Sequence, residues 1–221
     1  MNNVSLVIFD MDGLLVNSER GMWLVNEKRA IEELGYKFDE KLITSLMGAS
    51  VAIYKKTIVD FYGPDFPIDK YYQMVFDYNT IMIDNKELTL MKRAKEFLDF
   101  LKEQNIPMCI ATSTEKNNAY KILNSLNLTN YFDYIVTGDE VENGKPSPDI
   151  YLKALRNTDK EKALIFEDGH NGARAAIASG VRLVLVPDIA YLSDQDKKEA
   201  FEVINNLNEA IPLIKKLNNI K

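Results

Sequence analysis

The chain has 221 residues, 46% of them hydrophobic, enough to bury one good core and to carry a smaller second domain. Its formal charge of −6 excludes a general nucleic-acid binder, which needs a basic face for the phosphate backbone, although a local basic pocket is compatible with it. No apolar run approaches the ~20 residues of a membrane span, and Asn2, Asn3 and Asp10 stand where a leader would be charged and then apolar, so a soluble, unexported, cytoplasmic protein is expected.

The first element is the apolar run Val4–Phe9, which reads as a strand inside a parallel sheet and ends in Asp10-Met11-Asp12-Gly13. Two carboxylates at a strand end repel each other, and either a divalent cation or a nearby lysine must neutralise them. Glu19–Leu34 carries apolar residues at helical spacing and stops at Gly35; further helical segments follow at Glu40–Met47, Val51–Phe61 and Lys70–Ile83, broken by Gly48 and by Gly63-Pro64. No strand interrupts this stretch.

From Leu90 the pattern alternates. Helical Met91–Gln104, strand Met108–Ala111, helical Asn118–Leu126 and strand Tyr134–Val136 come first. Helical Asp149–Leu155, strand Ala163–Phe166, helical Ala173–Ser179 and strand Arg182–Val186 follow, and Asn205–Lys221 holds enough apolar residues for a last helix. This predicts an α/β fold: a Rossmann-like parallel sheet with helices on both faces, plus an inserted all-helical cap. Residues 1–16 and 87–221 would form the core and residues 17–86 the cap. The single Cys109 sits inside a strand and reads as a small buried side chain.

Several strands end in polar groups. Met108–Ala111 runs into Thr112-Ser113-Thr114, Ala163–Phe166 into Glu167-Asp168-Gly169, and Gly144-Lys145-Pro146 precedes a helix start. A parallel sheet gathers these groups along one edge. Singly, Asp10 and Asp12 could cap a turn, Thr112–Thr114 could cap a helix, and Lys145 or the Glu167-Asp168 pair could be solvated loop residues. Together they supply a carboxylate nucleophile, anion donors, one cation and hard oxygen ligands, which is what phosphoryl transfer through an acyl-phosphate requires. His170, the only histidine, adjoins the acidic pair and reads as a supporting rather than catalytic residue. Trp23, Met22, Met47, Met74 and Met82 read as packing.

In order and spacing these four motifs resemble those of the haloacid dehalogenase superfamily, and the helical insertion resembles the cap of the subgroup that contains β-phosphoglucomutase and many small-molecule phosphatases. The resemblance covers nearly the whole chain. It implies that Asp10 is the nucleophile and a Mg²⁺ ligand. Asp12 is then the general acid and base, with its backbone carbonyl on the metal. Thr112 and the Ser113 amide hold phosphoryl oxygens, Lys145 holds the phosphate and Asp10, and Asp168 completes the metal shell. Glu167 is either a further ligand or an acid that orients the others.

The chain also departs from that subgroup. Met22 falls at the place of a cap histidine, and the cap arginine that grips a second phosphate would fall near Val51, in a stretch with no arginine between Arg29 and Arg93. Lys55, Lys56 and Lys70 could replace it only with a different geometry. Asn17 stands for the usual aspartate, and Leu88-Thr89-Leu90-Met91 for a Pro-Gly before the first core helix. The implied activity is therefore a Mg²⁺-dependent phosphatase acting, as a monomer, on a small phosphate monoester, without polymeric nucleic acid or membrane as partner. A phosphosugar mutase is the alternative, and a catalytically silent phosphate-binding protein the second. Dehalogenase chemistry is disfavoured by the acid at Asp12, and phosphonate cleavage by the lack of an identifiable Schiff-base lysine.

Overall fold

The computed structural model describes residues 3–47 and 51–220. The expected break at Gly48 lies outside the described residues. Strand β1 (Leu6–Phe9) leads through a π-helical turn (Glu19–Trp23) into four helices: α1 (Leu24–Glu33), α2 (Glu40–Ser45), α3 (Val51–Tyr62) and α4 (Ile68–Asp84). Next come α5 (Ala94–Glu103), β2 (Met108–Ala111), α6 (Lys116–Ser125), β3 (Tyr134–Val136), α7 (Asp149–Leu155) and β4 (Ala163–Glu167). The chain closes with α8 (His170–Ser179), β5 (Arg182–Leu185), α9 (Asp194–Glu199), β6 (Glu202–Val203) and α10 (Ala210–Asn218).

The strands form one six-stranded sheet in the order β3-β2-β1-β4-β5-β6, and every pairing is parallel. Side chains of a strand alternate between faces, and so the buried residues divide. Val7, Phe9, Ile110, Leu164 and Phe166 pack with α5, α6 and α10 on one face, while Ile8, Cys109, Ala111, Ile165 and Leu183 pack with α7 and α8 on the other. Phe9 and Phe166 stack with centroids 5.4 Å apart beneath the site edge. The order in which successive strands are added reverses between β1 and β4, the switch point where α/β sheets hold their ligands.

Helices α1–α4 bury a third cluster of their own, including Ala30, Ile31, Ile43, Ile58, Phe66 and Tyr71. They join the sheet through two short extended segments. Asn17 N–H donates to Thr89 C=O at 2.9 Å, Met91 N–H donates to Leu15 C=O at 2.9 Å, and Val16 and Leu90 form an antiparallel bridge. The Leu88–Met91 segment thus makes its connection by backbone pairing, with no proline or glycine needed.

The helix predicted from Glu19 is interrupted at its start. The Trp23 N–H donates to the Ser18 carbonyl at 2.8 Å, the five-residue closure of a π turn, a form concentrated at functional sites. Two elements lack a hydrophobic pattern altogether. The six residues of α9, DQDKKE, are held by a capping box in which Ser193 and Asp196 serve each other's backbone amides, and β6 is an exposed two-residue edge strand. Among the described residues no helix is long and apolar enough to cross a membrane.

Candidate active site

Sheet hydrogen bonds carry the polar strand ends to one edge. Asp10 N–H donates to Phe166 C=O at 3.0 Å, Thr112 N–H to Val136 C=O at 3.1 Å, and Val186 N–H to Glu167 C=O at 2.8 Å. Asp10, Thr112, Glu167 and Asp168 are all buried there. Lys145, reaching in from the loop ahead of α7, places Nζ 2.5 Å from Asp10 Oδ1 and 2.7 Å from Glu167 Oε1. Oxygens of Asp10, Glu167 and Asp168 lie within 4.8 Å of one another.

The three acids differ in how well the protein satisfies them. Glu167 accepts Lys145 and the Tyr151 hydroxyl on Oε1 and the Asp168 amide on Oε2 at 3.1 Å. Asp168 Oδ2, by contrast, is buried with no partner among the described residues, a position that costs free energy unless a ligand fills it. Burial, then the charges of Glu19, Glu167 and Asp10, push Asp168 well above the carboxylate range. Asp10 is pushed up in the same way, chiefly by burial and against the pull of Lys145. Burial pulls the Lys145 ammonium down, but Asp10 and Glu167 outweigh it and hold the group charged far above its usual range. Several acids share one ammonium in a dry setting, and hard oxygen donors with an orphaned carboxylate fit a small divalent cation.

Two glycines make room. Gly13 has φ +77°, and a Cβ on it would stand 2.3 Å from Asp168 Oδ2. A Cβ on Gly172, in the first turn of α8, would fall 1.7 Å from Glu167 Oε1. Both therefore admit the carboxylates to the cluster at close approach.

Asp12 sits across from Asp10 and faces another direction. Its Oδ1 accepts from Ser18 Oγ at 2.7 Å, and its Oδ2 accepts from Thr114 Oγ1 at 2.7 Å and Thr112 Oγ1 at 3.2 Å. The Thr112 hydroxyl also accepts the Thr114 amide at 3.0 Å, so Thr112 is engaged with Asp12 and its own loop. Ser113, Lys145, Gly144 and the acid cluster line a cavity of about 600 Å³. His170 also lines it, but its Nδ1 is 2.5 Å from Asp196 Oδ2, a contact that anchors α8 to α9.

A second cavity, of about 370 Å³, opens between the strand ends and the cap helices and shares Asp12, Glu19 and Met47 with the first. Met22, Trp23 and Met47 line it; Met22 and Trp23 also pack in the cores, as Met82 and Met74 do. Val51 lies on its wall as well.

Sequence reasoning did not single out Glu19, Tyr151 or Glu27. Glu19 is raised to about 8 by burial and by the charges of Asp12, Asp188 and Glu167, and nothing in a helix-start pattern separates it from a solvated acid. Tyr151 looks like one more apolar residue of α7. Glu27 left a trace: it shares the helical stripe of Trp23, Ala30 and Leu34, an acid where a core residue belongs.

The family model of haloacid dehalogenase-like hydrolases matches residues 7–186. A phosphorylated carbohydrates phosphatase of Thermotoga maritima is 32% identical over 80% of this chain and 82% of its own length. A (DL)-glycerol-3-phosphatase 2 of Arabidopsis thaliana is 32% identical over 95% and 90%. The crystal structure of a HAD family hydrolase from Deinococcus radiodurans, with bound phosphate and sodium, superimposes with TM-score 0.86 at 21% identity, over 98% of this chain and 97% of that one, and bears on the fold alone.

Proposed function

Since the chain belongs to the haloacid dehalogenase-like hydrolase family, as a phosphoric monoester hydrolase, we propose that it hydrolyses a small phosphorylated metabolite through an aspartyl-phosphate on Asp10. The observation that carries this reading is the pairing of Lys145 with Asp10 beside the unpartnered Asp168 oxygen. It is a nucleophile with charge compensation on one side and a vacant hard ligand on the other. Residues 1–16 and 87–221 act as the catalytic core, and residues 17–86 as the cap.

Asp10, the Asp12 backbone carbonyl and Asp168 would hold Mg²⁺. The cation supplies Lewis-acid neutralisation of the phosphoryl oxygens and of the two carboxylates. Glu167, already committed to Lys145, Tyr151 and the Asp168 amide, positions those groups and stays close enough to serve as a further ligand. An Asp10 carboxylate oxygen attacks phosphorus, the ester P–O bond breaks, and protonated Asp12 gives its proton to the leaving oxygen. Asp12 then takes a proton from the water that attacks the aspartyl-phosphate, releasing inorganic phosphate and restoring Asp10. Lys145 and the Ser113 amide hold the phosphoryl group. Thr112 joins them when Asp12 turns to the leaving group and frees the Thr112 hydroxyl.

The silent-binder alternative is disfavoured by the complete set Asp10, Asp12, Lys145 and Asp168. Phosphate release from p-nitrophenyl phosphate decides between them. We expect turnover with Mg²⁺, loss on adding EDTA, and recovery on restoring the metal; full turnover in metal-free buffer would overturn the mechanism.

A further inference from the structure

The cap-side cavity carries information about the other half of the substrate. Asp12 stands on the boundary between the two cavities, so a leaving oxygen protonated by Asp12 has the rest of its molecule in the cap-side space. That space is walled by the rings of Trp23, Tyr54, Tyr72 and Phe76. Tyr72 and Phe76 are 39% and 56% exposed; the Lys55 ammonium lies 4.9 Å over the Tyr72 ring, and Phe76 presents the more open aromatic face. The carboxyl groups that line this space are Asp12, Glu19 and Glu27, and no lysine, arginine or histidine is among the described residues that line it.

Glu27 is the built polar feature of this wall. It is 2% exposed, and its Oε2 accepts the Tyr54 hydroxyl at 2.5 Å, which is itself 2.7 Å from the Tyr71 hydroxyl. Burial raises Glu27 to about 8, partly offset by the Tyr54 bond, and a carboxyl in its protonated form can both donate and accept. A volume of about 370 Å³ suits one ring system.

We propose that this cavity receives an uncharged, ring-bearing alcohol as the leaving group of the phosphomonoester, its ring against the aromatic wall and one of its hydroxyl or N–H groups bonded to Glu27. A second phosphate or carboxylate would meet acids there, and the Lys55 ammonium 4.9 Å over the Tyr72 ring is already paired with Asp69 at 2.7 Å, which leaves little to repay its desolvation. The inference rests on the phosphatase reading and adds the substrate class to it.

The test compares kcat/KM on uridine 5′-monophosphate, glycerol 3-phosphate, fructose 1,6-bisphosphate and O-phosphoethanolamine, with p-nitrophenyl phosphate as reference. Uridine 5′-monophosphate, a neutral ring with hydroxyl and N–H donors, should exceed each of the other three metabolites by about tenfold or more. Glu27→Leu should lower kcat/KM on uridine 5′-monophosphate about tenfold more than on p-nitrophenyl phosphate, chiefly through KM, and Glu27→Gln should restore most of it. Turnover of the reference with glycerol 3-phosphate, the bisphosphate or the amine preferred, or equal losses on both substrates in Glu27→Leu, would overturn the inference and leave the phosphatase reading standing. Absence of turnover on the reference itself would overturn both.

Discussion

A single carboxyl can reveal how a site uses burial. Glu27 is pushed from 4.5 to about 8 by its surroundings, so the folded protein binds a proton there that the unfolded chain releases above about pH 4.5. Stability from this group is full below pH 4.5 and falls as pH rises toward 8, at a slope of up to about 1.4 kcal/mol per pH unit. Glu27→Gln, which keeps an acceptor for Tyr54 and cannot ionise, should remove that slope. Urea unfolding at pH 5 and pH 8 checks it: the variant gains on the wild type at the higher pH, and parallel curves would refute the buried neutral acid. At the same scale, the acids of the buried cluster, Asp10, Glu167 and Asp168, were legible because they stand at the ends of apolar strands. Glu19 and Glu27 were not, since their burial comes from contacts between segments far apart in the chain.

At the scale of elements, the site depends on close approach between loop, strand end and helix start. Gly172 lets the first turn of α8 lie against Glu167. Gly172→Ala would drive the Glu167 carboxylate from its bonds with Lys145, Tyr151 and the Asp168 amide. The expected cost is about 1–3 kcal/mol of stability, as for overpacking elsewhere, with a drop in kcat of about tenfold or more as Lys145 loses its second anchor. Chemical denaturation and steady-state kinetics on one preparation measure both; unchanged kcat would show that Glu167 does not position Lys145. The strands Met108–Ala111 and Tyr134–Val136 and helix Asp149–Leu155 follow their apolar patterns to the residue. Helix α9 and strand β6 do not, because a capping box and an edge pairing leave no hydrophobic period to read. The π turn at Glu19–Trp23 escaped for a related reason: its i to i−5 closure leaves the apolar spacing of the following helix intact.

For the whole molecule, the question is what the cap does after Asp10 is phosphorylated. A mutase must retain a sugar phosphate by its distal phosphate and shield the intermediate from water, whereas a phosphatase must admit water. Met22 and Val51 both line the cap cavity, apolar residues where a histidine and an arginine would serve a mutase. β-Glucose 1-phosphate, where accepted, should therefore yield mainly glucose and inorganic phosphate. Glucose 6-phosphate forming faster, in dependence on catalytic glucose 1,6-bisphosphate, would show that the cap clamps a second phosphate after all. The division into sheet and helical insertion was readable from the change in periodicity at Leu90, but how the cap closes on the site depends on side chains from α1, α3 and α4 that no local pattern brings together.

The central claim is that Asp10 is phosphorylated and that Asp12 serves both half-reactions. Asp12→Asn isolates it. With p-nitrophenyl phosphate, whose leaving group needs no proton, the first step should persist while hydrolysis, deprived of its base, slows by about a hundredfold or more. Rapid mixing of this variant with substrate and Mg²⁺ should then give a burst of p-nitrophenolate approaching one equivalent per site, with acid-stable phosphate mapped to Asp10 by mass spectrometry and absent from Asp10→Asn. Linear release with no covalent phosphate, or phosphate on another residue, would contradict the account.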